Sequence, residues 1–280
     1  TPRLVHTLTG ALWTHANESP TPRVWRALSY VDGVTIHASR EAAVLESGAQ
    51  LLGRFHRALA DLQHELVHRR PLHDTRRHLA ALQAALASER GKDDAEAQAL
   101  GADILRHAEA VRIDFEGLPK RIIHGDPKLS NVMFERQAPD RALCMIDLDT
   151  VARGPLAYEL GDALRSWCNP AGEDTTDVEV EPLAVAAVLR GYASARPTGL
   201  SRDELGSALD GFETVSAELA SRFAADVVVD EYWGWDATRF ASRREHNLLR
   251  ARGQLALSKA VRARRTALAA VVERAALDAA

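Results

Sequence analysis

The chain contains 280 residues, 46% of them hydrophobic, so it can bury a sizeable core as one large domain or two smaller ones. Its formal net charge of −4 argues against nucleic acid as a default partner. No apolar run approaches the roughly 18 residues of a spanning helix and no signal-peptide pattern opens the chain, so we expect a cytoplasmic protein that does not cross a membrane.

Two short strands are predicted near the start of the chain, at residues 11–14 and 24–31. The segment between them, residues 16–22, is rich in Pro, Ser, Thr and Asn, which favours a turn and predicts a β-hairpin. The second strand is expected to end at Asp32 and Gly33, before the first helical pattern begins.

Most of the remaining chain is predicted to be helical. Apolar residues recur at helical spacing from Ala43 to Leu62, behind a candidate N-cap at Ser39, and indicate a long core helix. We interpret the acidic stretch 169–181 as a solvated loop, and Cys144 and Cys168 as reduced packing residues. Further helices are expected at residues 74–88, 93–111, 159–167, 182–195, 201–225 and 239–277.

A zinc-enzyme pattern lies in the first third of the chain. Residues 64–68 read H-E-x-x-H, in which two histidines one helical turn apart bind zinc and the glutamate activates water. However, residues 69–71 are Arg-Arg-Pro and end the helix directly after the pair. We interpret His56, His73 and His78 as parts of a His/Arg-rich surface, and a zinc metalloprotease as the lesser alternative.

Residues 124–131, with the sequence HGDPKLSN, carry the most informative pattern in the chain. Their spacing is H-x-D-x-x-x-x-N, and Asp147 follows an apolar strand predicted at residues 142–146. Asp126 can orient an attacking hydroxyl and accept its proton, while Asn131 and Asp147 offer the oxygen ligands that Mg²⁺ prefers. The pattern therefore predicts phosphoryl transfer that uses ATP and Mg²⁺.

Short apolar runs on both sides of this loop predict strands that hold it rigidly. Lys128 lies inside the loop. If it points at the transferring phosphoryl group, it would stabilise the charge that develops in the transition state, which makes it a second catalytic candidate. Arg165, farther along the chain, is expected either to orient an acidic partner such as Asp149 or Glu159 or to form a surface ion pair.

Four segments of the chain match the motifs of one known family. The pattern D-P-K-x-x-N-V-L-F is matched at residues 126–134, with Met133 in place of the Leu, I-D-L-D-T-V at 146–151 and G-D-x-x-R at 161–165. Residues 218–257 contain an R-F pair, an acidic aromatic patch and H-N-L-x-R-A-R-x-Q-L. In these segments the chain resembles the aminoglycoside phosphotransferase and choline kinase superfamily and, within it, the N-acetylhexosamine 1-kinases.

This resemblance implies an α+β, protein-kinase-like fold of two lobes, with a small β N-lobe and a large, mainly helical C-lobe. Residues 1–33 would form part of the N-lobe and the hinge. Residues 34–280 would form the C-lobe, with catalytic hairpins at 121–151 and a C-terminal helical subdomain that covers the acceptor. The N-lobe is expected to be incomplete, because the family's phosphate-covering loop and strand lysine have no counterpart in residues 1–33.

The resemblance also implies ligand-binding residues outside the loop. The adenine of ATP is expected against the backbone of the hinge residues Leu28, Ser29, Tyr30 and Val31. The acceptor is expected to contact Asp126 together with Arg222, Tyr232 and Trp233. Aromatic side chains at these positions would suit the apolar face of a sugar ring.

The expected function is that of an ATP- and Mg²⁺-dependent kinase that phosphorylates a hydroxyl group of a sugar, with the anomeric hydroxyl of an N-acetylhexosamine as first choice. Kinases of aminoglycosides, choline or homoserine stay open as alternatives, and the acidic residues of 173–181 keep a cationic acceptor open. A catalytically silent nucleotide-binding protein is the alternative from another class. The oligomeric state is left open as well.

Overall fold

The computed structural model describes four stretches of the chain, residues 1–16, 23–66, 72–195 and 197–278. Helices form most of the described chain, as predicted. They are α1 (Ala42–Ala58), α2 (Thr75–Ala87), α3 (Glu89–Lys92), α4 (Ala95–Ala108), α5 (Leu156–Trp167), α6 (Pro182–Ser194), α7 (Arg202–Val229), α8 (Arg243–Ala263) and α9 (Arg265–Asp278). Within those four stretches, no helix is both long enough and apolar enough to cross a bilayer.

The N-terminal strands form two small antiparallel sheets. In one, β1 (Leu4–Val5) pairs with β4 (Ala27–Leu28); in the other, β2 (Thr14–Ala16) pairs with β3 (Arg23–Trp25). The β2–β3 pairing confirms the predicted hairpin, whose turn at 17–22 lies outside the described residues. The predicted strand at 24–31 is too long, because no described strand lies beside residues 29–31 to complete a ladder.

The boundaries of the C-terminal helices have identifiable local features. The α7 helix begins with a capping box, in which the Ser201 hydroxyl accepts the Glu204 N–H at 3.1 Å and the Glu204 carboxylate accepts the Ser201 N–H at 3.1 Å. It ends at Asp230, which adopts a left-handed backbone conformation with φ of 63°. The single helix predicted at 239–277 is instead two helices, α8 and α9, separated at Arg264.

Antiparallel strands frame the predicted catalytic loop. A three-stranded sheet is formed by β5 (Val34–Thr35), β7 (Val132–Glu135) and β8 (Ala138–Met145), and a separate ribbon by β6 (Lys120–Ile123) and β9 (Ala152–Pro155). Residues 124–131 connect β6 to β7, and residues 146–151 connect β8 to β9. Because Val132 pairs with Met145 and Ile123 pairs with Ala152, the two connections lie at the same end of these hairpins.

Two hydrophobic clusters support this arrangement. The first is built mainly on α1, α5, α6 and the start of α7 and contains the fully buried Trp167, Tyr192 and Phe212. The second lies between α2, α4, α8 and the end of α7 and contains Leu82 and Phe223. The long α7 helix belongs to both clusters, so it is the rigid element that links the catalytic hairpins to the C-terminal helices.

Candidate active site

A buried carboxylate holds the start of the catalytic loop. Glu159 of α5 is fully buried and accepts the backbone N–H groups of His124 at 2.7 Å and Gly125 at 2.9 Å. The His56 ring lies 2.9 Å from the same carboxylate through Nε2. Burial opposes the ionised form of Glu159, but the hydrogen bond and charge of His56 and the Gly125 N–H outweigh it and lower the pKa of the carboxyl group.

The surface interpretation of His56 and His73 is wrong, because both side chains are buried. His56 bridges two helices and the loop: its Nδ1 lies 2.8 Å from the Tyr192 hydroxyl while its Nε2 faces Glu159. His73 pairs with the buried Glu218 of α7 at 2.9 Å. A buried imidazole needs polar partners for its ring nitrogens, and the sequence gives no sign of these distant partners.

Gly125 permits the close approach of the two connections. Its φ of 85° is a conformation that favours glycine, and a Cβ atom at this position would lie 2.5 Å from the carbonyl oxygen of Thr150. The Thr150 hydroxyl donates to the His124 carbonyl at 2.8 Å. A side chain at position 125 would therefore separate the catalytic loop from the segment that carries Asp147.

Lys128 and Asn131 both hydrogen bond to Asp126. The Lys128 ammonium donates to Oδ2 of Asp126 at 2.8 Å, and the Asn131 amide donates to the Asp126 carbonyl at 2.9 Å. Burial disfavours the charged Lys128, yet the hydrogen bond to Asp126 and the charges of Asp126, Asp147 and Asp162 raise the pKa of the ammonium group. The base candidate is thus paired with a permanent cation.

Asp147 is held beside this cluster in a left-handed conformation with φ of 60°, which is uncommon outside glycine. The preceding Ile146 is fixed on both sides, since its N–H donates to the Asn131 carbonyl at 2.9 Å and its carbonyl lies 2.8 Å from Nε2 of His124. The Asn131 amide nitrogen is used by Asp126, which leaves Oδ1 as the atom available to a cation. This all-oxygen donor set fits Mg²⁺.

The predicted hinge residues differ in their surroundings. Leu28 pairs with Leu4 in the β1–β4 sheet, and the Ser29 N–H donates to the Arg3 carbonyl at 2.8 Å. Tyr30 is 83% exposed. Nearby, Arg26 pairs with Asp149 at 3.0 Å and so connects this ribbon to the segment that carries Asp147. The adenine contact of residues 28–31 stays a prediction.

The three predicted acceptor residues lie together at a distance along the chain from the catalytic loop. Arg222, Tyr232 and Trp233 line a groove of about 450 Å³ between α2 and the end of α7, which we call the acceptor groove after the role predicted for these residues. The Arg222 guanidinium lies 5.0 Å from the centre of the Trp233 ring and 6.0 Å from that of Tyr232. Asp126 is not part of the lining of this groove.

A smaller cavity of about 240 Å³ adjoins the catalytic loop itself. Its lining includes Gly125, Thr150 and the aromatic rings of Phe115 and Tyr158. Leu72 lines both this cavity and the acceptor groove. Leu72, in the segment that leads into α2, thus contributes to the walls of both spaces.

The buried Glu218 fixes the α2 wall of the acceptor groove. It accepts hydrogen bonds from His73 at 2.9 Å and from the Thr75 hydroxyl at 2.7 Å, at the start of α2. Burial disfavours its charge, but His73 and Thr75 lower the pKa of the Glu218 carboxyl group. Burial also disfavours charged His73, while Glu218 and Asp162 raise the pKa of that imidazole above its usual value.

The acidic stretch 169–181 is a loop with mostly part-exposed or exposed residues, as predicted, but several of its carboxylates are paired. Glu173 pairs at 2.6 Å with Arg165, and Arg165 is buried and also pairs with Asp162 at 2.7 Å. Arg165 thus has acidic partners, as one alternative predicted, but they are Asp162 and Glu173, and its burial makes the surface alternative wrong. Further carboxylates of the stretch pair with distant side chains: Asp174 lies beside Arg239, His246 and Arg250, and Glu179 pairs with Arg40. These charges are already neutralised.

The zinc alternative has no support in the described chain. The α1 helix ends at Ala58, and residues 62–66 are not helical, so the helical spacing that H-E-x-x-H requires is absent at His64. His68 lies outside the described residues. Over residues 1–16, 23–66, 72–195 and 197–278, no group of three or more His, Cys, Asp or Glu side chains is arranged to hold a metal ion.

The family of the chain follows from its sequence as a whole. The model of the phosphotransferase enzyme family, APH, matches residues 2–205 and thus spans the catalytic hairpins and α5. The chain belongs to the APH family. Homoserine kinase of Pseudomonas aeruginosa is 31% identical to this APH member over 102 residues, which are 36% of this chain and 30% of the relative. The chain thus covers less than a third of the length of that curated relative.

Solved structures confirm the fold of this APH member. A microcompartment-associated aminopropanol kinase superposes with a TM-score of 0.58 at 15% identity and covers 96% of this chain and 77% of its own. A choline/ethanolamine kinase family protein from Mesorhizobium loti gives 0.55 at 13% identity, with 99% and 78% coverage. The chain therefore has the α+β, protein-kinase-like fold that the resemblance implied. The narrower likeness to N-acetylhexosamine 1-kinases is not confirmed by these comparisons.

The sequence analysis named Glu159 and His56 but missed their role in holding the loop. Glu159 falls among the mostly apolar buried residues of α5, where a carboxylate requires buried donors. A carboxylate among predicted buried residues was therefore the signal in the sequence for this role of Glu159. His56 carried a weaker one, since it continues the apolar spacing of α1.

Proposed function

We propose that this APH-family protein is an ATP-dependent kinase that transfers the γ-phosphoryl group to a hydroxyl of a small molecule. The observation that carries the proposal is the cluster of Asp126, Lys128 and Asn131, which hydrogen bond to one another beside Asp147. A base, a cation and two oxygen ligands at one loop are the groups that phosphoryl transfer needs. Family membership supports the same reaction class.

In the proposed reaction, Asp126 orients the acceptor hydroxyl and takes its proton. The hydroxyl oxygen forms the new bond to the γ-phosphorus while the bond from that phosphorus to the bridging oxygen of ADP breaks. Lys128 then balances the charge on the transferring group. Asn131 and Asp147 would hold Mg²⁺, which when bound neutralises phosphate charge. Glu159 keeps the loop backbone in place throughout.

We further propose that residues 1–33 belong to the N-lobe, with the hinge at 28–31, and that residues 34–280 form the C-lobe. ATP would lie between them, with adenine against the hinge and its phosphates towards Asn131 and Asp147. The β-rich composition of the first part and the helices of the second support this division. Use of ATP as donor places the proposed reaction in the cytoplasm.

For the acceptor, we favour a sugar, with the anomeric hydroxyl of an N-acetylhexosamine as first choice. The acceptor groove presents the rings of Tyr232 and Trp233 beside a guanidinium, which suits a ring with one apolar face and several polar groups. A cationic acceptor is disfavoured, because Glu173, Asp174 and Glu179 are paired with arginines.

Homoserine is the second candidate. It is favoured by the match to homoserine kinase of Pseudomonas aeruginosa and by Arg77 and Arg222, two guanidinium groups in the groove that could receive a carboxylate.

The test is consumption of Mg²⁺-ATP with N-acetylhexosamines, simple hexoses, homoserine, choline and an aminoglycoside, with the Asp126→Ala protein as blank. Turnover with an N-acetylhexosamine that is lost in the blank supports the proposal, and the position of the phosphate is read by phosphorus NMR. Preference for homoserine would move the acceptor and keep the mechanism. Turnover that persists in Asp126→Ala would contradict the mechanism.

A further inference from the structure

One buried carboxylate accepts several backbone N–H groups of the loop that carries the groove's aromatic residues. Asp226 of α7 is 3% exposed and accepts the N–H groups of Glu231 at 3.0 Å and Tyr232 at 2.9 Å through Oδ1. Its Oδ2 accepts the N–H of Trp233 at 2.9 Å and the side-chain amide of Asn247 at 2.9 Å. Both carboxylate oxygens are therefore saturated with donors.

These bonds act where the chain reverses. The α7 helix ends at Val229, and Asp230, in its left-handed conformation, turns the chain back over the helix end. Arg243 of α8 donates to the Asp230 carbonyl and closes the turn from outside. Residues 231–233 have no regular secondary structure, so no helix or sheet hydrogen bonds hold their backbone. The hydrogen bonds to Asp226 hold it instead.

The fixed backbone sets the positions of the rings. Trp233 lies 4.6 Å from Phe223 and 4.9 Å from Tyr232, measured between ring centres, and Arg222 stands over both rings of the loop. Tyr232 is 69% exposed, so packing alone does not hold it. Its place in the groove depends on the backbone that Asp226 holds.

We propose that Asp226 is the positioning residue of the acceptor groove: by holding the backbone of residues 231–233, it sets Tyr232 and Trp233 against Arg222. This inference rests on the proposed function for the acceptor, whereas the anchoring of residues 231–233 does not. The two parts are therefore tested by separate measurements.

The test is Asp226→Asn. An amide keeps one acceptor oxygen and turns the other position into a donor, which faces the N–H of Trp233 or the amide of Asn247. Hydrogen exchange of the peptide that covers residues 231–233 should accelerate at least about tenfold, as expected for the loss of buried hydrogen bonds to a charged group. The KM for the acceptor should rise about tenfold for the same reason, with kcat and the KM for ATP changed less than about twofold.

The matched control is Asp94→Asn. Asp94 also caps backbone N–H groups and pairs with Arg244 of α8 at 2.8 Å, but it lies outside the groove. It should leave both the exchange of residues 231–233 and the acceptor KM unchanged. If Asp226→Asn does not fold, Asp226→Glu takes its place, because it keeps the charge and displaces it by one methylene; the same acceleration is expected.

Unchanged exchange in a folded Asp226 variant overturns the anchoring role. Faster exchange with an unchanged acceptor KM overturns the role in the groove, since the released loop then has no part in binding. Because exchange is measured without substrate, it judges the anchoring even if the wild-type protein turns over none of the acceptors, in which case the proposed function fails separately.

Discussion

The catalytic loop and the acceptor groove are built on different physical principles. At the loop, charges pair with one another and with backbone N–H groups: Lys128 with Asp126, and Glu159 with the loop itself. In the groove, aromatic rings and two guanidinium groups form much of the surface, and the carboxylate of Asp226 accepts backbone N–H groups. Charged side chains are concentrated at the loop, where phosphate would react. In the groove, where the acceptor would bind, the shape of the aromatic surface matters more. Substitutions at the two places should therefore change different kinetic constants.

The largest effect is expected for Asp126→Asn. The amide cannot take the proton of the acceptor hydroxyl, so kcat should fall about a thousandfold, within the range of a lost general base. Binding of ATP, measured by calorimetric titration with Mg²⁺, should stay within about twofold, because the residue is assigned to the acceptor side. A kcat that falls by less than about tenfold would remove Asp126 from the role of base.

Lys128→Met should follow, with kcat lowered about a hundredfold, on the scale of a lost charge-stabilising donor. Because Lys128 also forms an ion pair with Asp126, its removal takes a cation away from the base, and the pH profile of kcat should change as well. Steady-state rates across a pH series give both results. Lys259→Met, which removes an exposed lysine paired with Asp103 on α4, is the control and should leave turnover unchanged.

Glu159→Gln tests the support beneath the loop. The variant should unfold more easily than the wild type at pH 7 by about 2 kcal/mol, because a charged acceptor of buried hydrogen bonds is lost. The lowered pKa of Glu159 means that this difference is fully present above the ordinary carboxyl pKa of about 4.3 and disappears as the pH falls through the folded-state value. Urea unfolding at a series of pH values measures it.

Because the loop backbone would shift, kcat of Glu159→Gln should fall about thirtyfold, as for a misplaced catalytic group. Glu213→Gln is the matched control: Glu213 is equally buried and pairs with Arg262 and Arg265 far from the loop. It should lose stability and keep its kcat. Equal losses of kcat in both variants would mean that Glu159 has only a general structural role.

The smallest effect is expected in the groove. Arg222→Met removes the cation that lies over Tyr232 and Trp233 and should raise the acceptor KM about fivefold, with kcat and the KM for ATP unchanged. Arg252→Met, which breaks the exposed pair with Glu96, serves as the comparison and should alter neither constant. A fall in kcat without a change in KM would show that Arg222 belongs to the chemistry and not to recognition.

A feature could be predicted from the sequence when its residues lie close together along the chain, and not when its partners are many residues apart. The proximity of the loop 124–131 and Asp147 was predictable because both segments belong to one pair of hairpins. The partners of the acidic stretch were not, since Asp174 pairs with Arg250, 76 residues away. The same holds for His56, which is 103 residues from Glu159. Helical periodicity predicts which face is buried, but not which buried charges meet.

The measurement that tests the separation of chemistry and recognition most directly is a double-mutant cycle of Lys128→Met and Arg222→Met, with kcat and acceptor KM determined for the two single variants and the double variant. We expect the loss in kcat to come from Lys128 alone, the rise in KM to come from Arg222 alone, and the two effects to multiply in the double variant. Losses that overlap, or a KM effect at Lys128 equal to that at Arg222, would contradict the separation.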